Sequence, residues 1–148
     1  MYSKTNGNYE ISTEKDRLQL PIIHQYLSKE AYWSNGIPLE TIIKSIENSC
    51  CFGVYFKGDQ IGFARVITDY ATFAYLADVF ILKEHRGKGL SKWLVQLIME
   101  HPELQGMRRW MLGTLDAHEL YAKYAGFTPL KSPARFMEKH FPDIYKNE

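Results

Sequence analysis

Cysteine is nearly absent: two of 148 residues, Cys50 and Cys51, and they are adjacent. Neighbouring cysteines rarely pair with each other, so a disulfide framework is excluded. No apolar run reaches the roughly 18 residues of a membrane span, and no charged-then-apolar leader opens the chain. These absences predict a reducing, cytoplasmic setting and no membrane association. Net charge is also scarce. At +1 it gives no reason to expect nucleic acid as a partner, and any anion site must come from local placement rather than a global field. The five histidines, His24, His85, His101, His118 and His140, are scattered without ligand spacing, so no metal site is expected. Repeats, linkers and low-complexity tracts are lacking, and the length suits one domain over residues 1–148 with a core that needs no staples.

Apolar and charged contents of 45% and 24% are those of an ordinary globular chain, and aromatics reach 14%. Residues 1–8 are polar and read as frayed, and Tyr9-Glu10-Ile11-Ser12 reads as a first strand. Leu20, Ile23 and Leu27 recur at helical spacing behind Pro21. After Ser34-Asn35-Gly36, Pro38 opens a second helix with the stripe Leu39, Ile42, Ile43 and Ile46. Two strands joined at Lys57-Gly58-Asp59-Gln60 form a hairpin.

The most informative stretch covers residues 73–99. An apolar run from Phe73 to Leu82 carries one acid, Asp78. It breaks at Lys83-Glu84-His85-Arg86-Gly87-Lys88-Gly89-Leu90-Ser91, and the stripe Leu90, Trp93, Leu94, Leu97 and Ile98 continues as a helix. A buried strand, a basic glycine turn and a helix start make an anion site, because the first helical amides have no partners within the helix. The turn is neither a Walker A loop nor the dinucleotide fingerprint, since the glycine spacings differ. On the loop alone, a phosphate site and an exposed basic loop are equally good readings. Residues 107–115 read as a strand parallel to the first, completing a βαβ unit. Asp116 with Glu119 reads as the capped start of a last helix ending at Gly126. Residues 127–130 and 135–138 read as strands that complete the sheet.

The segment from Ala77 to Ser91 resembles the main acyl-CoA-binding motif of the GCN5-related N-acetyltransferase (GNAT) superfamily: Arg or Gln, two residues, Gly, one residue, then Gly or Ala. Arg86 and Gly89 fit, and Ser91 replaces the final small residue. A second signature, a strand followed by an Ala-x-x-Leu-Tyr helix and Gly-Phe, is similar to residues 114–127 through Ala117, Leu120, Tyr121, Gly126 and Phe127. Thr114 stands where the family often has Asn, and the step from Tyr121 to Gly126 is one residue longer than usual.

The resemblance implies an α/β, single-domain GNAT-like fold: a mixed central sheet with splayed parallel strands, flanked by helices. It also implies an acyltransferase moving an acetyl group from acetyl-CoA, without metal, to a primary amine of a small molecule or peptide by direct attack. A CoA-binding module without turnover and an enzyme using another acyl-CoA are the alternatives. The cofactor residues implied are Val79, Phe80 and Ile81 along the strand, Arg86, Gly87, Lys88, Gly89, Leu90 and Ser91 at the turn, and Thr114. Tyr121 is the implied acid for the departing thiolate, with Tyr124 as rival. Asp78 is read as the base, as a substrate anchor, or as a structural partner for an arginine such as Arg65. Tyr32, Trp33, Tyr70 and Phe73 are read as the acceptor wall or as packing residues. A homodimer is possible.

Overall fold

The structure is a computed structural model that describes residues 2–146. Its centre is one six-stranded sheet in the order β1-β2-β3-β4-β5-β6. β1 (Ser3–Asn6) and β2 (Tyr9–Ser12) form an opening hairpin, so described residues expected to fray are instead paired. The alternation of side chains there is too polar to announce a strand; pairing with β2 supplies what propensity does not. β3 (Cys50–Phe56), β4 (Asp59–Thr68) and β5 (Phe73–Ile81) continue antiparallel, and β6 (Arg109–Leu112) closes the sheet parallel to β5. The β4–β5 turn is held by Asp69. Its carboxylate accepts from the amides of Ala71, Thr72 and Phe73, and these bonds, with that from Thr72 first, hold its pKa far below the usual carboxylate range.

Four helices flank the sheet: α1 (Leu20–Gln25), α2 (Leu39–Glu47), α3 (Leu90–Glu100) and α4 (His118–Ala125). α1 begins at Leu20 with Pro21 in its first turn and runs on into a single wide π turn, Tyr26–Glu30. The two adjacent cysteines take opposite faces of β3, as neighbours in a strand must. Cys50 joins the core under α3, where Leu94, Val95 and Ile98 meet Phe52, Val54, Val66 and Leu76. Cys51 joins the core under α1 and α2, with Ile23, Leu27, Ile42, Phe63 and Phe80. Burying each of these large apolar side chains contributes about 1.5–3 kcal/mol. Of the described residues, no helix is long and apolar enough to cross a membrane.

Two expectations are corrected. α4 is not capped by Asp116: Ala117 is the residue before the helix, and the Thr114 hydroxyl accepts the Ala117 amide at 3.0 Å. Residues 127–130 and 135–138 do not add to the sheet, which ends at β6 among the described residues. Pro129 lacks an amide donor, and Pro133 starts a single 3-10 turn, Pro133–Arg135, that turns the chain aside.

Candidate active site

The site begins where β5 and β6 part. Their parallel register pairs Phe73 to Leu76 with Arg109 to Leu112 and then stops. From Ala77 onward β5 stays bonded to β4 alone, so its other backbone edge is open. The cause lies in the β4–β5 ladder. Phe63 faces Phe80 but Arg65 faces Ala77, so a single residue of β4 is set against Asp78 and Val79. That is a β-bulge, and Asp78 takes the left-handed conformation within it, φ +55°. A bulge bends and twists its strand, here away from β6. Aspartate tolerates this conformation better than most residues, since its short side chain finds local partners.

Asp78 finds two. Its Oδ2 accepts from Arg65 Nε at 2.8 Å, and its Oδ1 accepts from the Trp33 indole at 2.9 Å. The pair is mostly shielded from water, and Arg65 also donates to Ser49 Oγ at 3.1 Å. One acid in the bulge therefore ties β5 to β4 and to the segment between α1 and α2.

The opening is a cleft of about 490 Å³. Ala77, Asp78 and Val79 form one side and Gly113, Thr114 and Tyr121 the other; Tyr32 and Trp33 stand across its mouth. Tyr32 and Trp33 meet edge to face at 5.2 Å and are well exposed. Tyr70 and Phe73 do not line the cleft. Tyr70 sits in the β4–β5 turn beside Cys50, where burial raises its pKa to about 12; Phe73 lies at the far end of β5. Ile67 and Tyr75, a cross-strand pair on the same face as Arg65, take the place expected of them. The hairpin register carries that information, and a one-residue sequence alternation from Arg65 would have revealed it.

Tyr121, one turn into α4, is buried but borders the cleft. Burial, with a smaller push from Asp116, raises its phenol to about 12. Tyr124 faces elsewhere, with Lys92 and Lys123 Nζ at 4.9 and 5.4 Å from its ring centroid.

The basic turn follows β5 directly. Gly89 precedes α3 with φ +78°, a conformation that only glycine takes without strain, and space above its Cα is open. The amides of residues 87–91 lie at the start of an eleven-residue helix, whose dipole favours an anion there. Arg86 is placed differently from expectation. Its amide is already bonded to the Lys83 carbonyl, while its guanidinium donates to Ile81 O at 2.8 Å and to Tyr26 Oη at 3.1 Å. Arg86 therefore locks the turn onto the end of β5, and Tyr26 stacks on Phe80 at 4.0 Å behind it. A hollow of about 210 Å³ beside the turn is lined by Gly87, Gly89, Leu90, Ser91 and Lys92, among others. The edge of β5, the hollow and the cleft lie along one line of chain, a fit for a long ligand with a phosphate end and an extended amide arm.

Comparison with known proteins agrees. The model of the Acetyltransferase (GNAT) family matches residues 20–127. The chain belongs to the GNAT acetyltransferase family. It is 35% identical over 144 residues to a Gibberella zeae protein bearing the name acetyltransferase, covering 82% of this chain and 80% of that one. A crystal structure from Xanthomonas campestris pv. campestris, described as belonging to the GNAT family, is 50% identical with TM-score 0.91, covering 94% of this chain and 97% of that one. A Clostridium acetobutylicum acetyltransferase determined with acetyl-CoA shares the fold at TM-score 0.65 and 14% identity, over 90% and 95% of the two chains. The protein is thus a transferase of the acyltransferase class, with the splayed mixed sheet that the resemblance implied.

Proposed function

We propose that this GNAT protein transfers an acetyl group from acetyl-CoA to a primary amine by direct attack. The observation that carries the reading is the bulge at Asp78. It frees one backbone edge of β5 immediately before a glycine turn that presents unpartnered amides. The pantetheine arm, an amide chain, bonds along residues 79–81 as an extra strand would, and the diphosphate takes the amides of residues 87–91. Lys88 and Lys92 add positive charge at the turn. Thr114, whose hydroxyl accepts the Ala117 amide just before α4, holds the opposite side of the splay.

The acceptor enters past Tyr32 and Trp33. Its neutral nitrogen attacks the thioester carbonyl carbon, forming the C–N bond as the carbonyl oxygen takes negative charge. A backbone N–H at Val79 stabilises that oxygen. Collapse breaks the C–S bond, and the thiolate leaves toward Tyr121, whose phenol donates a hydrogen bond to it. Full proton transfer from a phenol near 12 to a thiolate of ordinary pKa about 8.5 is uphill by about 5 kcal/mol. The phenol therefore stabilises the departing sulfur. The proton that the attacking nitrogen sheds passes through solvent to the departing sulfur, so the products are the amide and the free thiol.

Asp78 acts as a positioning residue in this scheme, because Arg65 and Trp33 already occupy both of its oxygens. It keeps the bulge open and aims Trp33 at the acceptor side.

Placing glutamate at Gly89 tests the donor site. The substitution forces a side chain into φ +78° and sets a negative charge on the phosphate amides. Titration calorimetry is expected to show CoA binding by the wild-type protein and its loss, by at least about 100-fold in Kd, in Gly89→Glu. Absence of binding by the wild type sinks the reading.

A further inference from the structure

The mouth of the cleft gathers apolar surface that the fold leaves uncovered. Twelve large apolar side chains stay exposed among the described residues, and four of them, Tyr32, Trp33, Ile67 and Tyr75, line this one cleft at 36–65% exposure. Single exposed apolar residues are ordinary, but several around one opening mark a binding surface. The four come from three stretches of chain: the connection between α1 and α2, β4, and β5. Ile67 and Tyr75 are cross-strand partners. A Cβ on Gly113 would lie 3.6 Å from Tyr75 Oη, so that ring reaches across the splay to the far wall.

The charges of the cleft are few. Arg65 is the one cation among its described lining residues, and it is committed to Asp78 Oδ2 and Ser49 Oγ. Asp78 accepts from Trp33 with its other oxygen. Asp116, in the loop between β6 and α4, differs. It lines the cleft beside Thr114 and Tyr121, is exposed, and makes no hydrogen bond or ion pair among the described residues. Its charge is felt at the reacting end, where it adds to the upward push on the Tyr121 phenol. With Arg65 and Asp78 cancelling, the lining carries one uncompensated negative charge. It offers no uncommitted cation to a carboxylate or a phosphate.

We propose that the acceptor is a primary amine borne on an apolar or aromatic body, with no anionic group beside the nitrogen, and that Asp116 sets this preference. The proposal rests on the acetyl-transfer reading and names its acceptor class. Tyr32, Trp33, Ile67 and Tyr75 cover the hydrocarbon body, and the aromatic faces also attract a cation. Asp116 draws the ammonium form into the mouth, where it yields a proton to solvent before attack. The same charge repels an acceptor that carries a carboxylate or phosphate. Selectivity of this kind needs the repulsive element as well as the attractive one.

Steady-state thiol release at one pH tests this with phenethylamine, phenylalanine, phenylalaninamide and a hexosamine phosphate. Phenylalanine sets a carboxylate beside the nitrogen; its amide adds similar bulk without the charge. The expected kcat/KM for phenethylamine exceeds those for phenylalanine and the hexosamine phosphate by at least about tenfold, with phenylalaninamide close to phenethylamine. Asp116→Asn removes only the charge. It is expected to lower kcat/KM for phenethylamine by about twofold to fivefold and to raise that for phenylalanine, with CoA affinity unchanged. Added salt is expected to lower the wild-type value for phenethylamine and to leave the variant flat, a response that a structural role would not give. Tyr32→Ala is expected to raise KM for phenethylamine but not for methylamine, which has no body to cover. Turnover of phenylalanine or the hexosamine phosphate as fast as phenethylamine overturns the proposal. So does an Asp116→Asn protein with unchanged preference and salt response. Both results leave acetyl transfer standing, whereas thiol release that no primary amine stimulates overturns that reading and this proposal with it.

Discussion

Tyr121→Phe is expected to lower the rate of acetyl transfer by about 10²–10³-fold, the usual worth of one positioned hydrogen-bond donor to developing negative charge, with little change in CoA affinity. Tyr121 sits where β6 has parted from β5, and its ring packs edge-on to Phe127 at 6.1 Å. Phenylalanine keeps that packing and removes only the hydroxyl. The pH dependence gives an independent readout. Because burial raises the phenol to about 12, it stays protonated at every pH below that value. Its folded-state pKa lies above its ordinary value of about 10, so loss of the proton is delayed, not advanced. The wild-type kcat/KM is therefore expected to rise with pH as the acceptor amine is deprotonated, with no falling limb from Tyr121 below about pH 11. Steady-state rates from pH 6 to 10 check this. A variant equal to wild type across that range removes Tyr121 from the chemistry. A comparable loss from Tyr124→Phe alone would contradict the placement of Tyr124 outside the cleft.

Asp78→Ala is expected to be the most destabilising substitution in the site. Removing one member of a shielded ion pair leaves Arg65 uncompensated, at a cost of about 3–5 kcal/mol. Alanine at φ +55° adds about 1–2 kcal/mol of backbone strain. Asp78→Asn tolerates the bulge conformation and can still accept from Trp33, but it too leaves Arg65 without its counter-charge, so its loss should be smaller only by about the 1–2 kcal/mol of backbone strain. Urea unfolding of the three proteins measures both. The same pair separates positioning from proton abstraction. If Asp78 only shapes the cleft, Asp78→Asn, which keeps the bond from Trp33, retains most of kcat with little change in acceptor KM, while Asp78→Ala, which frees Trp33, raises that KM. A collapse of kcat in Asp78→Asn with unchanged KM would make Asp78 the base instead.

Much of this architecture was legible in the sequence, for identifiable reasons. The βαβ unit around Gly89 was readable because its signals are local: an apolar run, a glycine turn, and a stripe from Leu90 to Ile98. The splay of β5 from β6 came with the family resemblance; no local pattern in residues 73–81 announces a bulge apart from the lone acid. The partners of Asp78 were out of reach in part. Arg65 was a candidate, one strand away, but Trp33 lies 45 positions off, and an exposed tryptophan carries no mark of the hydrogen bond it makes. Tyr70 and Phe73 were chosen near the β4–β5 turn, whereas the cross-strand pair that lines the cleft is Ile67, three residues before Tyr70, and Tyr75, two after Phe73. The tail misled most. Residues 135–138 read as a strand, but Arg135 closes the 3-10 turn that begins at Pro133, and the residues after it pair with no strand of the sheet.

The most direct test of the central claim is thiol release from acetyl-CoA across a panel of primary amines, small molecules and lysine-bearing peptides alike. The account predicts that at least one amine accelerates thiol release well above background hydrolysis, with N-acetylated product formed in equal amount. Tight CoA binding with no amine raising the rate above hydrolysis would contradict it and leave a cofactor-binding module in its place.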